Sequence, residues 1–386
     1  MNKEGILLDL QGLRKQIDEI DDGLIRLFER RMGLSAEVAL YKQKNNLPVY
    51  DPARERQKLY DLSEKAEAGR ETYITALYSL LFELSRSEQE RILNPESELS
   101  DRIQNAIRDT APVFPERAVI ACQGVEGAYS QLAAEKLFTL PSITYCNTFE
   151  GVFAAIDSGL CPYGILPLEN STAGSINQVY DLMMRYPFSI VRSARLKIDH
   201  CLLAKEDVPL SSIGEVYSHE QAIAQCADFL KSLGCKVTAC ENTAEAARMV
   251  AQSPRGDVAA VSSQNCAELY GLKRLARSVQ DQGNNYTRFI CVSKTPAIYP
   301  GADKTSLMLT VPHKPGSLYQ ILSRFYIHGI NLIKLESRPI PDRDFEFMFY
   351  FDLETPVYSP ALIRLLRELG DLCDDFYYLG SYSEIV

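Results

Sequence analysis

The sequence predicts a multidomain chain in which an all-α segment, an α/β segment and an α+β ferredoxin-like segment follow one another. Three observations carry this. Residues 6–93 place apolar side chains every three or four positions, residues 116–295 alternate short apolar runs with helical patterns, and residues 304–386 run in the order βαββαβ. The 386 residues give room for two or three domains, and 46% apolar residues supply cores for them. The boundaries read as 1–94, a linker at 95–115, 116–295 and 296–386.

Composition narrows the function classes. The net charge is −10 and the pI about 5.1, so the chain repels phosphate backbones, and it has no run of five basic residues. Nucleic acid is not an expected partner. No apolar run approaches the ~18 residues of a membrane span. The N-terminus, MNKEGILLDLQGLRKQ, is charged and lacks a signal-peptide core, so a cytoplasmic protein without membrane contact is expected. None of the ten cysteines forms C-x-x-C, and most sit in apolar runs, as reduced buried thiols do. The four histidines, at 200, 219, 313 and 328, are not at metal-ligand spacing; neither a metal nor a cofactor is expected.

The all-α segment has a heptad-like seam: Leu10, Leu13, Ile17, Ile20, Leu24 and Leu27, then Leu34, Val38 and Tyr41. Two prolines in "LPVYDP" (47–52) break it. A second helix follows over 53–68, and a third begins after Gly69 with Ile74, Leu77, Leu81 and Leu84 on one stripe. Three such helices close no core alone, and a helical dimer is the natural solution.

Cations interrupt this seam. The next position in its rhythm is Arg31; Lys42 lies three turns further on the same face, and Arg14 flanks Leu10 and Ile17. Arg14 reads equally well as a snorkelling side chain, whereas a buried Arg31 needs an anionic partner. The turn adds Asp51, Arg54 and Glu55, and the third helix adds Ser85 and Gln89 at i and i+4. This set suits a small dianion bearing a hydroxyl. It does not suit nucleophilic catalysis, because no Cys or His is present.

The eight positions resemble the all-helical chorismate mutases over roughly 90 residues. The resemblance implies an intertwined dimer. It implies that Arg14, Arg31 and Arg54 hold the two carboxylates of chorismate, Arg14 reaching across the dimer. Lys42 and Gln89 would donate to the ether oxygen, and Glu55 and Asp51 would address the ring hydroxyl. The chemistry fits: a pericyclic rearrangement moves no proton and needs only a folded substrate and donors where negative charge grows.

The polar stretch 94–115, with three prolines, reads as a linker carrying one short helix. In the α/β segment, strands are expected at 118–122, 162–168, 188–192, 199–204, 213–217, 235–240, 257–261 and 288–293. "LPLENSTAGSI" (166–176) reads as a buried strand, a tight turn and a helix start. Ser171 or Thr172 as N-cap is reason enough for it. "QGVEGAYSQLAA" (123–134) is a second Gly-rich turn but not a nucleotide-binding one. His219 and Gln221 lie just past a strand, and Thr287 and Arg288 start one. Singly, His219 reads as a structural histidine and Arg288 as an edge-strand charge. Together they put hydroxyls, amides and helix N-termini at strand ends, where α/β sheets bind anions.

Together they also resemble the prephenate dehydratases, in "GAYS" (127–130), "PLENSTAGSI" (167–176), "YSHEQA" (217–222) and "NYTRF" (285–289). Val125 and Ala128 stand where the family has Pro and Ser or Thr. The resemblance implies two α/β lobes of the periplasmic-binding-protein type with a cleft between them. It gives a prephenate-binding set of Ser130, Asn170, Ser171, Thr172, Gly174, Ser175, His219, Gln221, Thr287 and Arg288. Thr287 would be essential, with Glu169 or His219 as the proton source and Arg288 with the Asn170–Ser175 turn on the carboxylates. The sequence does not rank these.

The C-terminal segment resembles an ACT regulatory domain. "GSLY" (316–319) stands where the family has G-A-L-V, and "ESRP" (336–339) is intact. The resemblance implies side-by-side pairing and L-phenylalanine bound by Gly316, Ser317, Leu318, Asn331, Leu332, Glu336, Ser337 and Arg338. The whole reads as a homodimer or higher homo-oligomer that turns chorismate into prephenate and prephenate into phenylpyruvate, with phenylalanine as feedback inhibitor. A non-enzymatic sensor is the competing class; it has no need of Lys42, Gln89 and Thr287.

Overall fold

A computed structural model describes residues 10–93, 98–340, 343 and 346–386. The expected helical residues 6–9 and linker residues 94–97 lie outside them. The chain divides into two compact units, residues 1–101 and 102–386.

The first unit contains helices α1 (Leu10–Lys44), α2 (Pro52–Ser63) and α3 (Glu71–Leu93). The break between α1 and α2 has local causes. The Asp51 carboxylate accepts from the Arg54 N–H at 3.0 Å as N-cap, and Pro52 fills the first helical position, where no N–H is needed. Of the α1 side chains only Ser35 and Ala39 are buried, while Ile17, Ile20, Leu24 and Leu27 are each more than half exposed. The seam exists, and one copy of the chain leaves it uncovered.

In the expected linker, α4 (Glu98–Asp109) is longer than a short helical insert. Ile103 is buried, and the Thr110 hydroxyl accepts from the Ile298 N–H at 3.0 Å, so residues 102–110 pack as part of the second unit.

The second unit begins with β1 (Arg117–Gln123), α5 (Tyr129–Leu137), β2 (Leu140–Cys146), α6 (Phe149–Asp157), β3 (Tyr163–Asn170), β4 (Gly174–Ser175), α7 (Asn177–Arg185) and β5 (Ser189–Lys197). Next come β6 (Cys201–Ala204), β7 (Glu215–His219), α8 (Glu220–Gln225), α9 (Ala227–Leu233), β8 (Lys236–Cys240), α10 (Thr243–Gln252), β9 (Val258–Ser262), α11 (Gln264–Tyr270) and β10 (Lys273–Ala276). The chain continues with β11 (Tyr286–Ser293), β12 (Lys304–Thr310), α12 (Ser317–Ile327), β13 (Asn331–Pro339), β14 (Phe347–Glu354), α13 (Pro360–Leu372), β15 (Phe376–Tyr382) and β16 (Glu384–Ile385).

Two sheets form two lobes. One runs β16-β5-β11-β3-β1-β2, with β4 on β3; the other runs β10-β6-β9-β7-β8. Their inner strands are covered on both faces, so they read as continuous apolar runs; all of Val258–Ser262 is buried. The lobes are joined by the crossings 198–200 and 277–285. The sequence did not give β2, β4, β10 or β16. β2 carries Pro141 and is half exposed, which an edge strand tolerates.

The C-terminal sheet, β13-β14-β12-β15, is antiparallel and carries α12 and α13, the expected ferredoxin-like order. It shares a core with the first lobe: Met308, Met348, Tyr350 and Tyr382 pack in one cluster with Tyr180, Met183 and Ile190. At Gly380, φ is +133° and a Cβ would stand 2.4 Å from the Ile190 carbonyl oxygen, so only glycine allows this approach. Beyond it, β16 adds a parallel edge strand to β5.

Candidate active sites

In the helical unit, Arg31 Nη1 donates to the Leu81 carbonyl at 2.9 Å and to Ser85 Oγ. Burial lowers the Arg31 guanidinium from its ordinary value, against the pull of Tyr78 and Glu55 nearby. Gln89, one turn beyond Ser85, is buried; its amide nitrogen is used by the Ser85 carbonyl at 3.1 Å and its oxygen has no hydrogen-bond partner among the described residues. Lys42 Nζ donates to the Val49 carbonyl at 2.5 Å and so reaches the turn that carries Asp51. Glu55 is held by Arg86, whose Nη1 contacts both carboxylate oxygens. Arg14 and Arg54 are exposed. The fold therefore gathers Arg31, Ser85 and Glu55 on facing helices. Arg86 is an addition the sequence reading lacked, and Asp51 serves as a helix cap.

Between the two lobes of the second unit lies a cleft of ≈ 780 Å³. Of the expected prephenate set, Ser130, Asn170, Ser175, His219, Gln221 and Thr287 line it. Ser171, Thr172, Gly174 and Arg288 do not, and neither does Glu169. No Lys or Arg is among its lining residues.

The turn in "LPLENSTAGSI" is built around Asn170. Its side-chain oxygen accepts from the Thr172 and Ala173 N–H groups at 3.0 and 2.9 Å. Those backbone donors fix the amide orientation, so Nδ2 is the atom that reaches Thr287 Oγ1 at 2.9 Å and Asn285 Oδ1 at 2.7 Å. Thr287 is thereby the acceptor of this bond, and its own proton remains available to the cleft. Ser171 Oγ stitches the turn to β11, donating to the Asn284 carbonyl at 2.8 Å and accepting from the Tyr286 N–H at 2.9 Å. The expected N-cap role of Ser171 or Thr172 does not hold: α7 starts later, behind Ile176, with no side-chain cap.

Gln225, from the second lobe, completes the arrangement. Its Nε2 donates to Thr172 Oγ1 at 3.0 Å, and its Oε1 accepts from Asn285 Nδ2 at 2.9 Å and from His200 Nε2 at 3.0 Å. Gln225, Asn285 and His200 were absent from the sequence reading. Gln225 had a signal, since it lies one helical turn after Gln221 on the same face. His219 Nδ1 accepts from the Gln221 N–H at 3.3 Å, which leaves the ring proton on Nε2. Burial lowers both His200 and His219 from the ordinary value, favouring neutral rings.

Strand alternation corrects two expectations. In register, Thr287 pairs with Asn170 and Arg288 with Glu169. Successive side chains point to opposite faces, so when the first pair faces the cleft, the second faces away. Arg288 meets Glu169 at 2.8 Å and the fully buried Asp352 of β14. Burial is the largest single effect and opposes the Arg288 charge, but Asp352, Tyr382, Tyr350 and Glu169 together outweigh it and hold the guanidinium well above its ordinary value. Glu169 also accepts from Lys334 of β13 at 2.6 Å. Neither Arg288 as a carboxylate binder nor Glu169 as a proton source fits this placement.

The expected phenylalanine set splits. Gly316, with φ +90°, opens α12 beside Ser317 and Leu318; Asn331 donates to Glu354 at 3.0 Å next to Leu332; Ser337 is exposed. Glu336 and Arg338 turn to the first lobe instead. Glu336 accepts from Ser175 Oγ, and Arg338 grips Asp181 at 3.0 and 2.9 Å. Among the described residues, no group of three or more His, Cys, Asp or Glu is placed to hold a metal, and no helix is long and apolar enough to cross a membrane.

Comparison with known proteins adds the following. The family model for chorismate mutase type II matches residues 13–90, that for prephenate dehydratase residues 120–297, and that for the ACT domain residues 305–371. A bifunctional chorismate mutase/prephenate dehydratase of Escherichia coli (strain K12) is 33% identical over 97% of this chain and 96% of its own. Among solved structures, prephenate dehydratase from Arthrobacter aurescens in complex with L-Phe has a TM-score of 0.64 at 26% identity, over 69% of this chain and 89% of that one. GqqA, described as a novel type of quorum quenching acylase, has a TM-score of 0.63 at 33% identity, over 68% of this chain and 97% of that one.

Proposed function

The chain belongs to the bifunctional chorismate mutase/prephenate dehydratase family, and from that membership we infer how its residues divide the work. It converts chorismate to prephenate and prephenate to phenylpyruvate in phenylalanine biosynthesis, under feedback by L-phenylalanine through the ACT domain.

In the mutase reaction Arg31 takes one substrate carboxylate, with Arg54 and a partner copy's Arg14 on the other. Lys42 and Gln89 donate to the ether oxygen as its bond breaks, where the growing negative charge gives those donors most effect. Ser85 and Glu55 border the ring, and Asp51 fixes the start of α2. The uncovered seam of α1 supports a second copy as the cover that completes this site.

In the dehydratase reaction the cleft meets the prephenate dianion without a lysine or arginine. The starts of α5 and α10, at Tyr129–Ser130 and Asn242–Thr243, supply N–H groups and hydroxyls for its carboxylates. Decarboxylation pushes electrons into the ring as the ring hydroxyl departs, and aromatisation drives the step. Thr287 donates a hydrogen bond to that hydroxyl, and His219 presents its Nε2–H from the second lobe. With His219 neutral, both act as donors that stabilise the departing group.

The observation that supports this reading most is the Asn170–Thr287 bond, in which Thr287 accepts and so keeps its own proton for the departing hydroxyl. The test uses the purified chain: chorismate is added, its loss is followed, and phenylpyruvate is read in alkali. Chorismate loss without phenylpyruvate refutes the dehydratase half, and no chorismate loss refutes the mutase half.

A further inference from the structure

The ion pair between Glu55 and Arg86 lies inside the mutase unit, and of its two members the eight positions read from the sequence include Glu55 but not Arg86. Glu55 is on α2 and Arg86 on α3, next to Ser85. Both side chains are mostly buried, at 25% and 15% exposure, so solvent screens their interaction only in part. One nitrogen, Nη1, contacts both carboxylate oxygens, at 2.5 Å to Oε2 and closer to Oε1. The guanidinium lies 5.0 Å from the centre of the Tyr50 ring. Tyr50 belongs to the same turn whose Val49 carbonyl receives Lys42 Nζ. Arg86 thus ties α3 to α2 and to the turn that holds Lys42. Glu55 also lies near enough to Arg31 to favour its charge.

We propose that Arg86 is a positioning residue of the mutase site: it holds the Glu55 carboxylate in place and balances its negative charge against a dianionic substrate. Each carboxylate oxygen has two lone pairs, so an oxygen bound to Nη1 still accepts a hydrogen bond from the ring hydroxyl of chorismate. Without Arg86, Glu55 is free to swing toward Arg31 and compete with the substrate carboxylate for it. An anion facing a dianion also weakens binding. Arg86 therefore acts on chorismate through Glu55.

This inference rests on the mutase reading above, and the test separates the two. Chorismate kinetics are measured on the full chain carrying Arg86→Met, Glu55→Gln, both, or Arg86→Lys, with prephenate turnover on the same samples as an internal reference. Arg86→Met is expected to raise the chorismate KM by about 10-fold or more, with a smaller fall in kcat. In the Glu55→Gln background the same change has an effect within about 2-fold, because the residues are coupled. Arg86→Lys keeps the charge beside Glu55 but loses the planar group over Tyr50, so its chorismate KM lies between those of the parent and Arg86→Met. The proposal is overturned if Arg86→Met is silent, if its effect is equally large with Gln at 55, or if Arg86→Lys is as damaging as Arg86→Met. A parent chain that turns over prephenate but not chorismate overturns the mutase reading itself.

Discussion

Arg288 and Asp352 form a buried ion pair between the strand that carries Thr287 and the ACT sheet. Asp352 also accepts from Ser306, whose oxygen in turn accepts from the Tyr350 and Tyr382 hydroxyls, so its carboxylate is embedded in a polar network within a shared core. Removing one partner of such a pair leaves a charge without compensation. Asp352→Ala should destabilise the second unit by about 3 kcal/mol, near the lower end for broken buried pairs because Glu169 still faces Arg288. Urea unfolding followed in the full chain reads this, and a loss under about 1 kcal/mol argues against a buried pair.

The same face joins the ACT sheet to a residue of the cleft. Lys334 of the ACT sheet bonds Glu169 at 2.6 Å and Ser175 Oγ at 2.9 Å, and Ser175 lines the cleft. Lys334→Met should leave uninhibited prephenate turnover close to the parent and raise the phenylalanine concentration for half-inhibition by about tenfold, a coupling loss of about 1.4 kcal/mol. Unchanged inhibition removes Lys334 from the route.

Asn170 sets the proton direction at Thr287, so its replacement by a near-isostere is informative. Asn170→Asp exchanges the donor Nδ2 for an acceptor, and the Thr287 proton then turns toward it and away from the substrate. Dehydratase kcat should fall by about 100-fold, the order expected for one lost transition-state donor, while mutase turnover on the same chain is unaffected. A kcat within a few-fold of the parent contradicts the assigned orientation.

Glu169 faces away from the cleft, and its carboxylate bonds Arg288 and Lys334. Glu169→Gln should therefore keep dehydratase kcat within about fivefold, far from the 10²–10⁴-fold loss of a general acid. A loss of the larger size returns Glu169 to the chemistry.

Burial lowers His200 and His219 in the folded state below the ordinary 6.5. The unfolded chain then binds more protons as the pH drops below that value. The stability these neutral rings contribute is present in full above about pH 6.5 and declines as the pH falls toward their folded values. Thermal unfolding at several pH values should show this slope for the second unit, and His200→Gln should make it shallower. An unchanged slope assigns the acid sensitivity to other groups.

Much of this was legible in the sequence because it rests on periodicity. The Arg31–Lys42 relation follows from eleven residues making three turns, and the β-α-β-β-α-β order from changes of period in 304–386. Other features depend on what covers a surface. The alternation of Thr287 and Arg288 could be read, but not which face held the cleft. That required knowing that the ACT sheet covers the other, through Asp352 and Lys334 far along the chain. For the same reason Glu169 read as catalytic. Glu336 and Arg338 read as ligand contacts, whereas they hold Ser175 and Asp181. β2 was missed because an edge strand with Pro141 lacks the continuous apolar run of its neighbours.

Two variants test the central claim, one chain with two chemically separate centres, most directly. Thr287→Val is given chorismate, and Lys42→Ala is given chorismate and then prephenate. Thr287→Val is expected to consume chorismate at the parental rate and accumulate prephenate without phenylpyruvate. Lys42→Ala is expected to leave chorismate untouched and still convert added prephenate. Phenylpyruvate formed by Thr287→Val at the parental rate, or loss of both activities in either variant, would contradict the account.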